Sequence, residues 1–216
     1  MGTTPTLQFE RRFWSRGVTR IAGIDEAGRG AWAGPVVAAA VILPRPRQIK
    51  TWWRDDTLAA LENARDSKLL SPKQRQALVA PIHTAAIACA TGSASHTEID
   101  ALGIVPATRL AMQRALESLR VSPEALLIDA VKLPPIRLPQ HAIIHGDQLS
   151  LSIACASILA KTTRDAMMRE MDAQFPGYGF ARHKGYGTAA HRAALQKLGA
   201  TPAHRMTFAP LKNLEP

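Results

Sequence analysis

Two apolar runs near the start of the chain, VTRIAGID (18–25) and PVVAAAVILP (35–44), are joined by only nine residues, EAGRGAWAG (26–34). Their length and valine and isoleucine content suit buried strands better than helices. A parallel crossover needs a dozen or more residues, usually coiled as a helix, so this short glycine-rich link leaves an antiparallel hairpin. The glycines at 28, 30 and 34 imitate a dinucleotide-binding loop. That loop, however, must open a helix whose N-terminus faces the pyrophosphate. Here a second strand follows, and Asp25 and Glu26 stand where the anion would lie. The dinucleotide reading fails on context.

Further along, AAIACATGSAS (85–95), ALLIDA (125–130) and HAIIHGD (141–147) read as three more strands. LQFERRFWSRG (7–17) forms a short basic helix behind a loose tail at 1–6, and DDTLAALENA (55–64) has a helical middle. Ser71-Pro72 opens a helix through Ala85, with serine at the cap and proline in the first turn. SHTEIDALG (95–103) and PATRLAMQRALESLR (106–120) are helical, as is the long run 150–175, capped by Asp147 or Ser150, with Asp147 preferred. The tail end, FPGYGFARHKGYGT (175–188), is rich in glycine and aromatics and leads into a helix stopped by Gly199. Early strands too close for crossovers, then strand–helix alternation, imply an α/β fold with a mixed sheet flanked by helices. The expected division is 1–174 as the main domain and 175–216 as a helical extension of the same compact unit.

A formal net charge of +10 favours a polyanionic partner, nucleic acid ahead of an anionic membrane surface. Cys89 and Cys155 sit in small apolar runs and read as buried hydrophobes, which fits a reducing cytosolic setting. No apolar run reaches membrane-spanning length, and no signal-peptide core opens the chain.

In so basic a chain, acids at strand ends stand out. Asp25 and Glu26 end one strand and Asp129 ends another. Carboxylates gathered in one cleft repel each other, a cost that a divalent cation offsets. All-oxygen donors suit Mg²⁺ or Mn²⁺ rather than zinc. Ser157, Lys161 and Asp165 share one helix face at i, i+4 and i+8. That spacing equally suits an ordinary Lys–Asp surface pair. Acids in a basic protein fit a two-metal phosphodiester hydrolase.

The segments GIDEAGRG (23–30), DSKLLS (66–71), AMQRAL (111–116), LLIDA (126–130), HGD (145–147), SIACASILAKTTRD (152–165), FPGYGF (175–180), HKGYGT (183–188) and HRMTF (204–208) occur in the order found in ribonuclease HII. The chain resembles that family from about Phe9 to Leu211. The resemblance implies a ribonuclease H-like fold whose C-terminal extension closes over a duplex. It also implies hydrolysis on the 5′ side of ribonucleotides in RNA–DNA hybrids and of single ribonucleotides in duplex DNA, leaving 3′-hydroxyl and 5′-phosphate ends. Ribonucleotide removal and RNA primer degradation are the corresponding tasks. By position, Asp25, Glu26, Asp129 and Asp165 match the family's catalytic and metal-binding acids, for two Mg²⁺ or Mn²⁺ ions. Gly28, Arg29 and Gly30 match the turn that senses the 2′-hydroxyl, and Tyr186 the tyrosine that packs on the next sugar. Lys68, Lys161 and Lys184 are the expected phosphate contacts, and a cytoplasmic monomer with no obligate protein partner is the expected form.

Ala130, His145, Gly187 and Thr207 depart from the family's usual glycine, lysine, proline and serine. Gly187 in particular predicts a looser loop around Tyr186. His183 and His204 read as packing, capping or phosphate contacts and His191 as surface helix. Two rival functions stay open on these residues: a non-catalytic nucleic-acid binder that kept the fold, and a metal nuclease blind to the 2′-hydroxyl.

Overall fold

The computed structural model describes residues 4–213. Five strands form one sheet in the order β3-β2-β1-β4-β5: β1 (Ile21–Ala27), β2 (Val36–Ile42), β3 (Ala88–Ala94), β4 (Ala125–Asp129) and β5 (Gln140–Ile143). β1, β2 and β3 pair antiparallel, as the short link between the first two requires, whereas β4 runs parallel to β1 and β5 to β4. The helices are α1 (Gln8–Trp14), α2 (Pro72–Ala85), α3 (His96–Leu102), α4 (Ile104–Glu117), α5 (Leu151–Gln174), α6 (Phe180–His183) and α7 (Ala189–Leu198).

Successive side chains of a strand leave on opposite faces, and here each face has its own core. Val36, Ala38, Ala40 and Ile42 pack with Ala107, Ala111 and Met112 of α4. Ala39, Val41 and Leu127 pack with α5 through Ile153, Ala156 and Ala160. Helix α5 lies almost against the sheet backbone. A Cβ on Gly23 would come within 2.5 Å of Ile153 N and Ser152 Oγ, so only glycine permits this approach.

Capping follows the sequence at α2 and α3. Ser71 accepts from Gln74 N–H while Gln74 accepts from Ser71 N–H, and Ser95 and Glu98 repeat the arrangement. At α5 the cap is Ser150, which accepts from Ile153 N–H at 3.4 Å. Asp147 instead sits in a 3₁₀ turn, buried, with Lys68 Nζ 3.9 Å away. The run at 55–64 is not α-helical: Ala59–Leu61 is a single 3₁₀ turn. Leu58, Leu61 and Ala64 are buried at a spacing of three, the period of a 3₁₀ turn.

The expected loose tail at 1–6 is only partly so. Thr6 bridges to Ser150, while residues 1–3 lie outside the described residues. Behind it Glu10, buried, accepts from Ser150 Oγ, Ser152 Oγ and Ser152 N–H at 2.6–3.0 Å, fixing the start of α5. Residues 206 and 207 are anchored to α3, where Asp100 accepts both of their N–H groups and the Thr207 hydroxyl. No helix among the described residues is long and apolar enough to cross a membrane.

Candidate active site

The parallel register pairs Gly23 with Leu127 and Ile24 with Ile128, which sets Asp25 and Asp129 at one level. Asp129 ends β4, but β1 stays paired with β2 through Ala27, so Asp25 and Glu26 lie inside the strand and not at its end. Asp25 and Asp129 take the odd positions that face α5, where Asp165 lies one face-turn below Lys161. Sheet topology thus brings Asp25 beside Asp129 on the face that α5 covers, and Asp165 lies on that helix. Glu26, the fourth, lines a cleft of about 220 Å³ together with Gly28, Arg29, Gly30, Ser67, Lys68, Ser157, Lys161 and Tyr186. A larger hollow of about 360 Å³ beside Arg47 and Arg54 holds none of the candidate residues.

Each acid has a distinct environment. Burial raises the Asp25 carboxyl well above the usual range, and the neighbouring charges of Glu26 and Asp129 raise it further. Burial also raises Glu26, against the lowering effect of Arg29, whose Nη1 donates to Oε1 at 3.3 Å. Asp129 Oδ1 accepts the Gly146 N–H at 2.8 Å. Asp165 accepts from Lys161 at 2.6 Å and from the buried Arg75 at 3.4 Å. Glu26 Oε2 is buried and has no hydrogen-bond partner. An unpaired carboxylate oxygen, beside a carboxyl held up by like charge, is what a hard divalent cation relieves. The residues present therefore fit such an ion, although no group of three or more His, Cys, Asp or Glu among the described residues is arranged to hold one as it stands.

The lysines divide. Lys68 extends a side chain that is 80% exposed. Burial lowers its affinity for the proton, but Asp66, Asp147, Asp25 and Asp129 outweigh this and raise it. Lys184 turns inward and donates to Ala181 O, and burial lowers it. Tyr186 is 37% exposed, with the Arg164 guanidinium 5.5 Å and Lys161 Nζ 5.9 Å from its ring centre. Its loop is pinned, contrary to the expectation from Gly187. Trp32 N–H donates to Gly185 O at 2.8 Å, and the Trp32 ring fills the space a Gly187 side chain would need. Ala130 and His145 both hold left-handed φ, 55° and 56°.

Below this loop lie three buried histidines, including His191, which is core and not surface. Tyr186 O can only accept, so His191 Nδ1 donates to it at 3.0 Å. His191 Nε2 must then accept from His204 Nε2, 3.0 Å away, and His204 Nδ1 accepts the Thr201 N–H. This neutral relay ends on the tyrosine's carbonyl. His183 stacks on His191 at 4.4 Å. Cys155 is buried as expected, and Cys89 is half-buried, its Sγ 3.1 Å from His83 Nδ1.

The family model for Ribonuclease HII matches residues 22–211. The chain belongs to the ribonuclease HII family. It is 51% identical to the Ribonuclease HII of Dehalococcoides mccartyi over 205 residues, 95% of this chain and 93% of that protein. It is also 51% identical to that of Roseiflexus castenholzii over 215 residues, 100% and 93% of the two chains. Among solved structures, the ribonuclease HII of the Archaeoglobus fulgidus PCNA complex superposes with a TM-score of 0.67 at 23% identity, covering 88% of this chain and 95% of that one. Bst ribonuclease HIII in complex with Mn²⁺ gives 0.63 at 20%, covering 90% and 68%. The fold is thus ribonuclease H-like, and this ribonuclease HII chain is a type 2 ribonuclease H, a hydrolase.

Arg75, Arg164 and Arg205 are the functional neighbours that sequence reasoning missed. In a basic chain a buried arginine carries no distinguishing mark.

Proposed function

We propose that the chain hydrolyses the phosphodiester on the 5′ side of a ribonucleotide, in RNA–DNA hybrids and where a single ribonucleotide interrupts duplex DNA. Water adds to phosphorus and the bridging bond to the upstream 3′-oxygen breaks, leaving a 3′-hydroxyl and a 5′-phosphate. Asp25, Glu26, Asp129 and Asp165 are the residues that would hold Mg²⁺ or Mn²⁺. When bound, such ions lower the pKa of water and stabilise charge on the attacked phosphate.

The observation that carries this reading is the unpaired Glu26 Oε2 at a cleft shared with the Gly28–Gly30 turn and Tyr186. Glu26 and the groups proposed to sense the sugar line one hollow there. Arg29 orients Glu26, and Lys161 and Arg75 hold Asp165 in position. The exposed Lys68 would meet a phosphate, and the extension that begins at Phe175 would close over the duplex. Gly28 and Gly30 bring backbone to the sugar, and Tyr186 packs on the next one, with the 2′-hydroxyl as the discriminating group. Lys184 joins them only by releasing Ala181 O.

The protein is expected to act as a cytoplasmic monomer. A labelled DNA duplex with one ribonucleotide, incubated with Mg²⁺ and separately with Mn²⁺, tests the reading. Cleavage 5′ to the ribonucleotide, lost in Asp25→Asn, is the expected result. No cleavage with either ion, undiminished cleavage by the variant, or equal cutting of an all-DNA duplex would overturn it.

A further inference from the structure

Arg164 and Arg205 are both 0% exposed, and among the described residues neither forms a salt bridge with a carboxylate. A buried charge without a counter-ion is costly unless hydrogen bonds replace its water. Backbone carbonyls do so here. Arg164 donates to Pro35 O at 2.8 Å, Lys184 O at 3.0 Å and Ala33 O at 3.1 Å. Arg205 donates to Gly34 O at 3.0 Å, Arg29 O at 2.8 Å and Gly28 O at 2.8 Å. All but one of these acceptors belong to the β1–β2 connection, and the exception precedes the Tyr186 loop. Burial lowers both guanidiniums, Arg205 to about 9.

Two consequences follow for the turn. Its carbonyls point inward, and the N–H groups of Arg29 and Gly30 are left with no acceptor among the described residues. Gly28 holds φ at +97°, and a Cβ there would overlap Arg164 Nε, so the turn is seated directly on that side chain. Gly30 by contrast has open space where its side chain would be. Two adjacent N–H groups without an acceptor among the described residues make a donor pair for an oxygen. Arg164 also lies beside the Tyr186 ring, so one side chain ties the donors to the tyrosine.

We infer that Arg164 and Arg205 are positioning residues for ribonucleotide selection: by holding the carbonyls of 28–29 and 33–35 inward, they aim the Arg29 and Gly30 amides at the sugar hydroxyl and fix their distance from Tyr186. This rests on the reading of the glycine turn proposed above and names what sets its geometry. Neither arginine touches substrate. Lysine at either position keeps the charge but cannot reproduce a planar fork that satisfies three carbonyls.

The test is binding by the full chain to two fluorescent DNA duplexes, identical except for one ribonucleotide, with Ca²⁺ present to suppress turnover. The parent, Arg164→Lys and Arg205→Lys are compared after circular dichroism has established folding. Expected is a loss of ribonucleotide preference of about tenfold, the effect of misaligning one buried hydrogen bond. Affinity for the all-DNA duplex, set by surface cations, stays within about twofold. Loss of affinity for both duplexes in parallel, or a preference unchanged in folded variants, overturns the inference. A parent that shows no preference overturns the reading of the turn itself, which separates the two failures. Should both lysine variants unfold, hydrogen exchange on the parent decides. The Arg29 and Gly30 amides gain protection only with the ribonucleotide duplex, and equal protection by both duplexes refutes the assignment.

Discussion

Lowering the pH from about 8 to about 5 protonates His204 in the unfolded chain but hardly at all in the folded one. Burial, and then the neighbouring His191, push its folded pKa down to about 4, against about 6.5 for a free imidazole. The unfolded state therefore binds the extra proton between these values, so stability rises with pH across the window and falls on acidification. Evaluating the two titrations near pH 5 gives a loss of about 2 kcal/mol from this one residue. Burial outweighs the Thr201 backbone, which favours the proton, and a proton on His191 Nε2 would face the His204 N–H. His191, also lowered by burial, adds in the same direction. Glu10 and Asp25 oppose them, because burial raises both and protonation there favours the fold. The histidine contribution must accordingly be isolated by difference. Urea unfolding followed by tryptophan fluorescence, for the parent and His204→Gln near pH 8 and near pH 5, does this. The stability advantage of the parent over the variant is expected to shrink by about 2 kcal/mol at the lower pH. An advantage that stays constant between the two pH values refutes the neutral relay.

Two other perturbations follow from single contacts. Gly187→Ala drives a methyl group into the Trp32 ring and is expected to cost about 2 kcal/mol. In a Trp32→Leu background the same change should cost under about 0.5 kcal/mol, and equal costs in a double-mutant cycle would show that the two residues are uncoupled. Glu10→Ala strands the hydroxyls of Ser150 and Ser152 and the Ser152 N–H, for a loss of about 3 kcal/mol in urea unfolding. Glu10→Gln retains an acceptor and should lose clearly less; the reverse order would mean that charge, not hydrogen bonding, sets the stability.

The architecture was legible wherever spacing limits the chain. Nine residues between two strands force a hairpin, and serine-capped runs locate α2 and α3. Asp129 does end its strand, but Asp25 and Glu26 lie inside β1, which runs on through Ala27 because β2 stays paired with it that far. Residues 55–64 misled because their apolar positions recur every three residues, which a helical pattern also tolerates. His191 looked like the polar side of a short helix, yet it faces Phe180 and Trp32, packing partners contributed from outside that helix. The roles of Arg164 and Arg205 depend on carbonyls brought from as far as 177 residues away, and that of Arg75 on a carboxylate 90 residues away, information that no local pattern carries.

Gly23 sets how closely α5 approaches the sheet beside the candidate site. Because α5 rests on that glycine near Ser152 and Ile153, the separation between the strand acids and Asp165 is gauged by an atom that is missing. A methyl group there would have to move from 2.5 Å to the 3.4 Å of ordinary contact, lifting the helix by about an ångström. Ser157, Lys161 and Asp165 would travel with it as one rigid rail. The bore of the site is thereby set two residues before Asp25, by a residue with no chemistry of its own.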